Sequence, residues 1–310
     1  MSDDAERPVA IVTGAGRGLG RQHALALARA GWAVVVNDLG GEIDGSGADA
    51  SLAQQVVEEI RAGGGEAVAD SSDVADWQAA EAMVQRAVDE FGRLHGLVNN
   101  AGALRDRTLA NLTEEDWDVA VRVNLKGTAA PLHHAARYWR DLAKRRGESV
   151  RAAVVNTTSG SGLYFNPGQT NYSAAKAGVA ALTVVAAREL ARYGVRVNCI
   201  APVAATRLMA TVRGNGMERF DPALISPLVV YLLSEAAAGV TARVFDVGGD
   251  GFMAVDMARP AAGLRAPGGR WTPEALAKAV PAVLAGIDEP MTPQAAVGLM
   301  TMAPLANDNW

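Results

Sequence analysis

Seven short apolar runs rich in Val, Ile and Ala recur along the chain, separated by longer stretches whose apolar positions return every three or four residues. The short runs are Val9–Val12, Ala33–Asn37, Ala67–Ala69, Gly96–Val98, Ala152–Asn156, Val195–Ile200 and Val244–Val247. Their near-continuous apolar character predicts strands covered on both faces, as in a parallel sheet. Helical spacing marks Leu19–Ala30, Ser51–Ala62, Ala75–Phe91, Glu114–Arg145, Tyr172–Tyr193 and Pro222–Ser234 between them. Strand and helix in alternation, joined by right-handed crossovers, predict a doubly wound α/β (Rossmann) fold with a seven-stranded parallel sheet. Two segments break the rhythm. Residues 39–50, with four glycines, predict a long flexible loop after the second strand. The chain beyond the last strand carries Gly/Pro punctuation around one helical stretch, Pro273–Leu284. The organisation expected is one domain over residues 1–250, with residues 251–310 as a C-terminal extension packing on it.

Composition narrows the class. The chain has 310 residues, 49% of them hydrophobic and 20% charged, which suits a globular protein with a sizeable core. A formal net charge of −5 argues against a nucleic-acid-binding surface, which needs a basic stripe. One cysteine, Cys199, cannot form an internal disulfide, and its place in a strand-like run reads as a small buried hydrophobe. The acidic start Met1-Ser2-Asp3-Asp4-Ala5-Glu6 does not read as a signal peptide, and no apolar stretch reaches the ~20 residues of a membrane span. The expectation is a soluble, cytoplasmic protein. No metal site is expected either: His133 and His134 are adjacent and so diverge on a helix, while His23 and His95 stand alone.

The turn Thr13-Gly14-Ala15-Gly16-Arg17-Gly18-Leu19-Gly20 lies where the first strand hands over to the first helix. In that context glycines let the backbone approach a pyrophosphate at the positive end of the helix dipole. Asp38 ends the second strand, eighteen residues beyond Gly20. A carboxylate there accepts from both adenosine ribose hydroxyls and repels a 2′-phosphate, which favours NAD over NADP. Arg17 points the other way, because a basic residue in the glycine turn can meet that phosphate. Farther on, Tyr172 and Lys176 stand four residues apart and share one helix face. An unperturbed tyrosine, with pKa near ~10, is a poor acid or base at neutral pH, and a neighbouring ammonium stabilises its phenolate. Ser159 lies thirteen residues before Tyr172; Thr157, Thr158 and Ser161 are neighbouring hydroxyls that the spacing favours less.

With Asn99-Asn100-Ala101-Gly102 after the fourth strand, the chain resembles the short-chain dehydrogenase/reductase family over about residues 8–250. The motifs that carry the resemblance are Thr13–Gly20, Asp73-Val74, Asn99–Gly102, Asn124, Ser159, Tyr172, Lys176 and Pro202 with Thr206. The resemblance implies that Tyr172 is the general acid/base and that Lys176 lowers its pKa and holds the nicotinamide ribose. Ser159 would hydrogen-bond the substrate oxygen, and Asn124 would anchor the water of a proton relay. The dinucleotide would meet Gly14, Arg17, Gly18, Leu19, Gly20, Asp38, Val74, Ala101 and Gly102, with Asp73 at the adenine and Asn99 at the adenosine ribose. Pro202 would lie on the same path and Thr206 would meet the carboxamide. One departure is Val203, where the family usually has glycine.

More particular stretches, Val36–Gly41, the long loop 39–50, Leu104–Thr108, Gly168–Tyr172 and Met291-Thr292-Pro293, resemble the (3R)-hydroxyacyl-CoA dehydrogenase part of peroxisomal multifunctional enzymes. That group is also described as a 17β-hydroxysteroid dehydrogenase type, with stand-alone actinobacterial relatives. The resemblance implies NAD-dependent oxidation of a 3-hydroxyacyl-CoA, fatty or steroidal, in β-oxidation. Other readings are a 3-oxoacyl-carrier-protein reductase using NADPH, a steroid or small-alcohol dehydrogenase without CoA, and a silent nucleotide-binding regulator. For an acyl-CoA, Arg105, Arg107, Arg207 and Arg213 are candidate phosphate clamps, and Met209, Met217 and Phe220 a candidate apolar wall within a lid at Leu208–Phe220. Ala- and Val-rich faces on the helices at Glu114–Arg145 and Tyr172–Tyr193 predict a homo-oligomer, dimer or tetramer.

Overall fold

The computed structural model describes residues 7–204, 220–256 and 272–285. Strands β1 (Val9–Thr13), β2 (Ala33–Asn37), β3 (Ala67–Asp70), β4 (Gly96–Asn99), β5 (Ala152–Thr157), β6 (Val195–Val203) and β7 (Val244–Gly248) pair in parallel. An eighth strand, β8 (Gly251–Val255), closes the edge antiparallel to β7, so the order is β3-β2-β1-β4-β5-β6-β7-β8. This corrects the expected seven all-parallel strands. The missed signal is the two-residue link Gly249-Asp250, with Gly249 at φ +58°, a glycine where a tight hairpin needs positive φ. Residues 251–255, assigned to the extension, thus belong to the sheet itself.

Helices cover both faces. One core lies between the sheet and α1 (Gly18–Arg29), α2 (Ser51–Ala62) and α8 (Ser226–Leu233), with Leu27, Val57 and Leu232 fully buried. The other lies against α3 (Trp77–Phe91), α5 (Gly127–Arg146) and α7 (Thr170–Leu190), around Met83 and Trp139. Trp139 carries its polar atom into this core at no loss, since Nε1 donates to Leu94 O at 2.7 Å. Cys199 is a buried free thiol, pushed up to about 12 by burial. The expected helix Glu114–Arg145 is broken into α4 (Glu114–Ala120), a π-helical turn (Val121–Lys126) and α5. Short α6 (Gly160–Tyr164), capped by Ser159, was not foreseen. Helix α9 (Pro273–Leu284) has the bounds its sequence predicts. No described helix is long and apolar enough to cross a membrane.

Val203, the departure from the family pattern, extends β6 opposite Gly248; a Cβ on Gly248 would lie 2.9 Å from that of Val203.

His23 of α1 is fully buried against Ser226 of α8, at 2.9 Å, and its Nε2 has no partner. Burial pushes its pKa down to about 3 from 6.5. The unfolded chain therefore takes up this proton before the native state does, so stability is lost as pH falls from 6.5 toward 3. The loss between pH 6.5 and 5 is roughly 2 kcal/mol from this one group. His23→Gln is expected to flatten that acid limb, read as urea midpoints near neutral pH and near pH 5.

Candidate active site

The sheet reverses its winding at β1, because β2 lies on one side of it and β4 on the other. The crevice at the carboxyl ends of these strands is where doubly wound folds take ligands. Thr13 locks its two walls: its Oγ1 accepts from the amides of Asn100 and Ala101 at 3.0 and 3.1 Å. Asn100 answers by donating to Thr13 O and Gly14 O. A Cβ on Gly14 would sit 2.8 Å from Ala101 Cα, and one on Gly20 would sit 2.1 Å from Gly14 O. Gly20 is thus a packing position between helix and turn, and the cavity wall is formed by Gly14, Arg17, Gly18 and Leu19. Arg17, the residue before α1, offers no side-chain cap. The helix therefore presents unsatisfied amides to a cavity of about 330 Å³. Uncapped amides and a turn free of side chains fit a pyrophosphate.

Asp38 lines this cavity at the end of β2, and both its oxygens are engaged, accepting from Gly16 N at 2.6 Å and Gly40 N at 2.7 Å. Arg17 donates to Gly41 O at 2.6 Å and lies 3.9 Å from Glu42. Asp73 and Val74 form the far wall; Asp73 accepts from Arg122 at 2.6 Å. Asn99 Nδ2 donates to Asn156 at 2.9 Å across the β4–β5 pair, and its neighbour Asn100 lines the cavity. Ala101 and Gly102 complete the near wall. Pro202 pairs with Val247 in β6, away from this wall, and Thr206 lies outside the described residues.

Gly102 connects this cavity to the second cluster. A Cβ there would be 2.8 Å from Asn124 Oδ1 and 3.6 Å from Lys176 Nζ. Asn124 sits in the π turn, a local widening of the helix that frequently marks a functional site. Its Nδ2 donates to Ala103 O and Ala120 O, at 2.8 and 2.9 Å, which pins the strand-end loop to the helix. Lys176, on the inner face of α7, is buried and donates to Thr157 O at 2.9 Å, with Nζ 5.7 Å from the centre of the Tyr172 ring. Burial pushes the lysine down to about 8. Burial also pushes the Tyr172 phenol up to about 12; a hydrogen bond with Ser159 pulls it back and the Asp106 carboxylate opposes that pull. The net direction is upward, because taking a phenolate out of water costs more than the Ser159 hydroxyl returns.

Among the hydroxyls the structure separates roles. Ser161 donates to Gln169 Oε1 at 2.5 Å, Thr158 donates to Lys176 O at 2.6 Å, and the buried Thr157 hydroxyl has no partner. Ser159 meets Tyr172. Of the candidate CoA clamps, Arg105 donates to Asp44 O and Glu115 and Arg107 lies 3.8 Å from Asp116; Arg207 and Arg213 fall outside the described residues. Met209 and Met217 do too, while Phe220 is buried near Gly248. The sequence reading missed Asn171, which is fully buried and uses every hydrogen-bonding atom of its side chain. Among the described residues no three His, Cys, Asp or Glu side chains gather as metal ligands.

A crevice walled by a glycine turn and strand ends, leading past Gly102 to the buried Lys176 with Tyr172 and Ser159, is the arrangement of a nicotinamide-dependent oxidoreductase. The short chain dehydrogenase family model matches residues 8–215, and the chain belongs to that family. It is an enzyme that uses a nicotinamide cofactor on a CH–OH group. A hydroxyacyl-CoA dehydrogenase of Mycobacterium tuberculosis is 41% identical over 297 residues, 92% of this chain and 91% of that one. The peroxisomal multifunctional enzyme type 2 of Mus musculus is 42% identical over 77% of this chain, which spans 31% of that protein. The crystal structure of a short chain dehydrogenase from Mycobacterium avium superposes with a TM-score of 0.82 at 47% identity, covering 93% of this chain and 98% of that one.

Proposed function

We propose that this chain oxidises the 3-hydroxyl of a 3-hydroxyacyl-CoA, fatty or steroidal, to the 3-oxoacyl-CoA with NAD. The single observation that carries the chemistry is the cluster of Ser159, Tyr172 and Lys176 opening toward the dinucleotide cavity past Gly102. Ser159 orients the carbinol oxygen, and Tyr172 takes the hydroxyl proton as its carbon gives up a hydride. The nicotinamide, when bound, accepts that hydride and brings a positive ring that favours the phenolate. Lys176, held by Thr157 O, supplies the nearby cation and would hold the nicotinamide ribose; Asn124 fixes the loop that carries Gly102.

NAD is supported by Asp38, which lines the cavity at the end of β2 and would repel a 2′-phosphate there. Arg17, the residue that favours the NADPH reductase reading, is engaged by Gly41 O and Glu42. The hydroxyacyl-CoA substrate is supported by the Mycobacterium tuberculosis relative, which matches almost end to end. Pairing of copies through α5 and α7 belongs to the same proposal, supported by exposed Ala174, Ala181 and Val185 along α7.

The CoA part of a substrate is remote from the reacting carbon, so its binding energy appears in kcat/KM. The thioester is expected to exceed the free 3-hydroxy acid of the same acyl group by a factor on the order of 100. Steady-state kinetics on the matched pair test this. Equal efficiency would replace the acyl-CoA reading with a steroid or simple-alcohol dehydrogenase.

A further inference from the structure

Residues 39–50 are a built roof over the dinucleotide crevice. They leave the end of β2, and Ile43 O accepts the amide of Leu104, beyond β4, at 2.8 Å. Because β1 lies between β2 and β4, a segment joined to both ends must cross the carboxyl end of β1, above the glycine turn. Gly41, Glu42, Ile43 and Gly45 line the cavity from this side. Gly45, at φ +84°, packs so closely that a Cβ would lie 3.0 Å from Val119 and 3.4 Å from that of Ala103. Any dinucleotide lying along the crevice therefore lies under residues 41–45.

One side chain fastens the far end of this roof. Arg105 Nε donates to Asp44 O at 2.9 Å, while its Nη1 donates to Glu115 at 2.9 Å and lies 3.7 Å from Asp116. A guanidinium suits the task because its rigid fork reaches the roof with one nitrogen and α4 with another. Arg105 is itself held from behind. Asn171 Nδ2 donates to Arg105 O and to Asp116 O, both at 2.9 Å, and its Oδ1 accepts from Tyr172 N at 2.8 Å. Gln169 adds a bond to Asp106 at 2.8 Å, and Arg107 bridges to Gln169. The roof, Arg105, Asn171 and Tyr172 form one continuous chain of contacts.

We propose that Arg105 is the latch that holds residues 39–50 closed over the bound nicotinamide dinucleotide, and that Asn171 joins this latch to Tyr172. Both are positioning residues: Arg105 acts through the roof, and Asn171 acts through the backbone of Tyr172 and of Arg105. The proposal rests on the nicotinamide-binding role of this crevice and is independent of which alcohol is oxidised. Release of the dinucleotide then requires the Arg105–Asp44 and Leu104–Ile43 bonds to open.

The test is stopped-flow displacement of NADH from the full chain, followed by NADH fluorescence, for the wild type and for Arg105→Met, Arg105→Lys and Asn171→Asp. Arg105→Met is expected to speed release at least about tenfold, the loss of one charge-assisted hydrogen bond. The hydride step of preloaded enzyme should change much less, by under about threefold. Lysine keeps the charge but cannot fork, so Arg105→Lys should recover less than half of the effect on a logarithmic scale. Asn171→Asp, which replaces a double donor with an acceptor, is expected to speed release and also slow the hydride step. Amide hydrogen exchange on the cofactor-free protein separates local opening from misfolding. The Leu104 amide should lose protection in Arg105→Met while Val35 and Val98 keep theirs. NADH release within twofold of wild type in Arg105→Met, or full recovery by Arg105→Lys, would overturn the latch. A wild type that binds no NADH would instead overturn the cofactor reading beneath it.

Discussion

Tyr172→Phe is expected to lower turnover by a factor on the order of 10²–10⁴, the usual contribution of a positioned acid/base. The change deletes one oxygen from a half-buried ring and keeps the ring that lies 5.7 Å from Lys176. Fold and dinucleotide binding should therefore persist, and NADH affinity should stay within a few-fold of the wild type. The effect must fall on the proton step, since the phenol oxygen is what Ser159 meets and what carbinol oxidation needs. Rapid-quench turnover together with NADH titration checks both halves. A variant that retains full activity would remove Tyr172 from the chemistry.

Asp38→Ala should shift cofactor choice more than any other single change. Its carboxylate accepts from Gly16 N and Gly40 N and so ties the glycine turn to the start of the roof, while presenting negative charge to the cavity. Removing it deletes the ribose acceptor and the repulsion of a 2′-phosphate together. The ratio of kcat/KM for NAD over NADP is expected to fall by roughly 10–100-fold, the scale of a charged hydrogen bond. Most of the gain with NADP should come from lost repulsion, because Arg17 is held by Gly41 O. Parallel kinetics with both cofactors measure it; an unchanged ratio would move the discrimination elsewhere.

The parts of this molecule that were legible in the sequence are those set by local pattern. Continuous apolar runs announced the parallel strands, and the four-residue step from Tyr172 to Lys176 placed both on α7 before any fold was known. What stayed hidden depends on contacts distant in sequence. The roof is invisible in residues 39–50 alone, since its partners are Leu104, Arg105 and Val119. Arg105 read as a phosphate ligand because its exposure could not be foreseen; in the fold its charge faces Glu115 and Asp116. Asn99 and Asn100 were adjacent candidates, and only the pleat of β4 decides which one faces the cavity. The π turn at Asn124 likewise leaves no periodic trace, because one widened turn barely disturbs a helical repeat. Burial overruled a local expectation as well: spacing put a cation near the phenol, but the desolvation of Tyr172 could not be read from spacing.

The central claim is NAD-dependent oxidation of a 3-hydroxyacyl-CoA through Tyr172. The most direct measurement mixes the purified chain with NAD and a panel of 3-hydroxyacyl-CoA esters, fatty and steroidal, and follows NADH fluorescence. NADH formation is expected with at least one ester, with far less reduced cofactor when NADP replaces NAD and almost none in Tyr172→Phe. NADH formation undiminished in Tyr172→Phe, or none from any ester beside ready oxidation of a free alcohol, would contradict the claim.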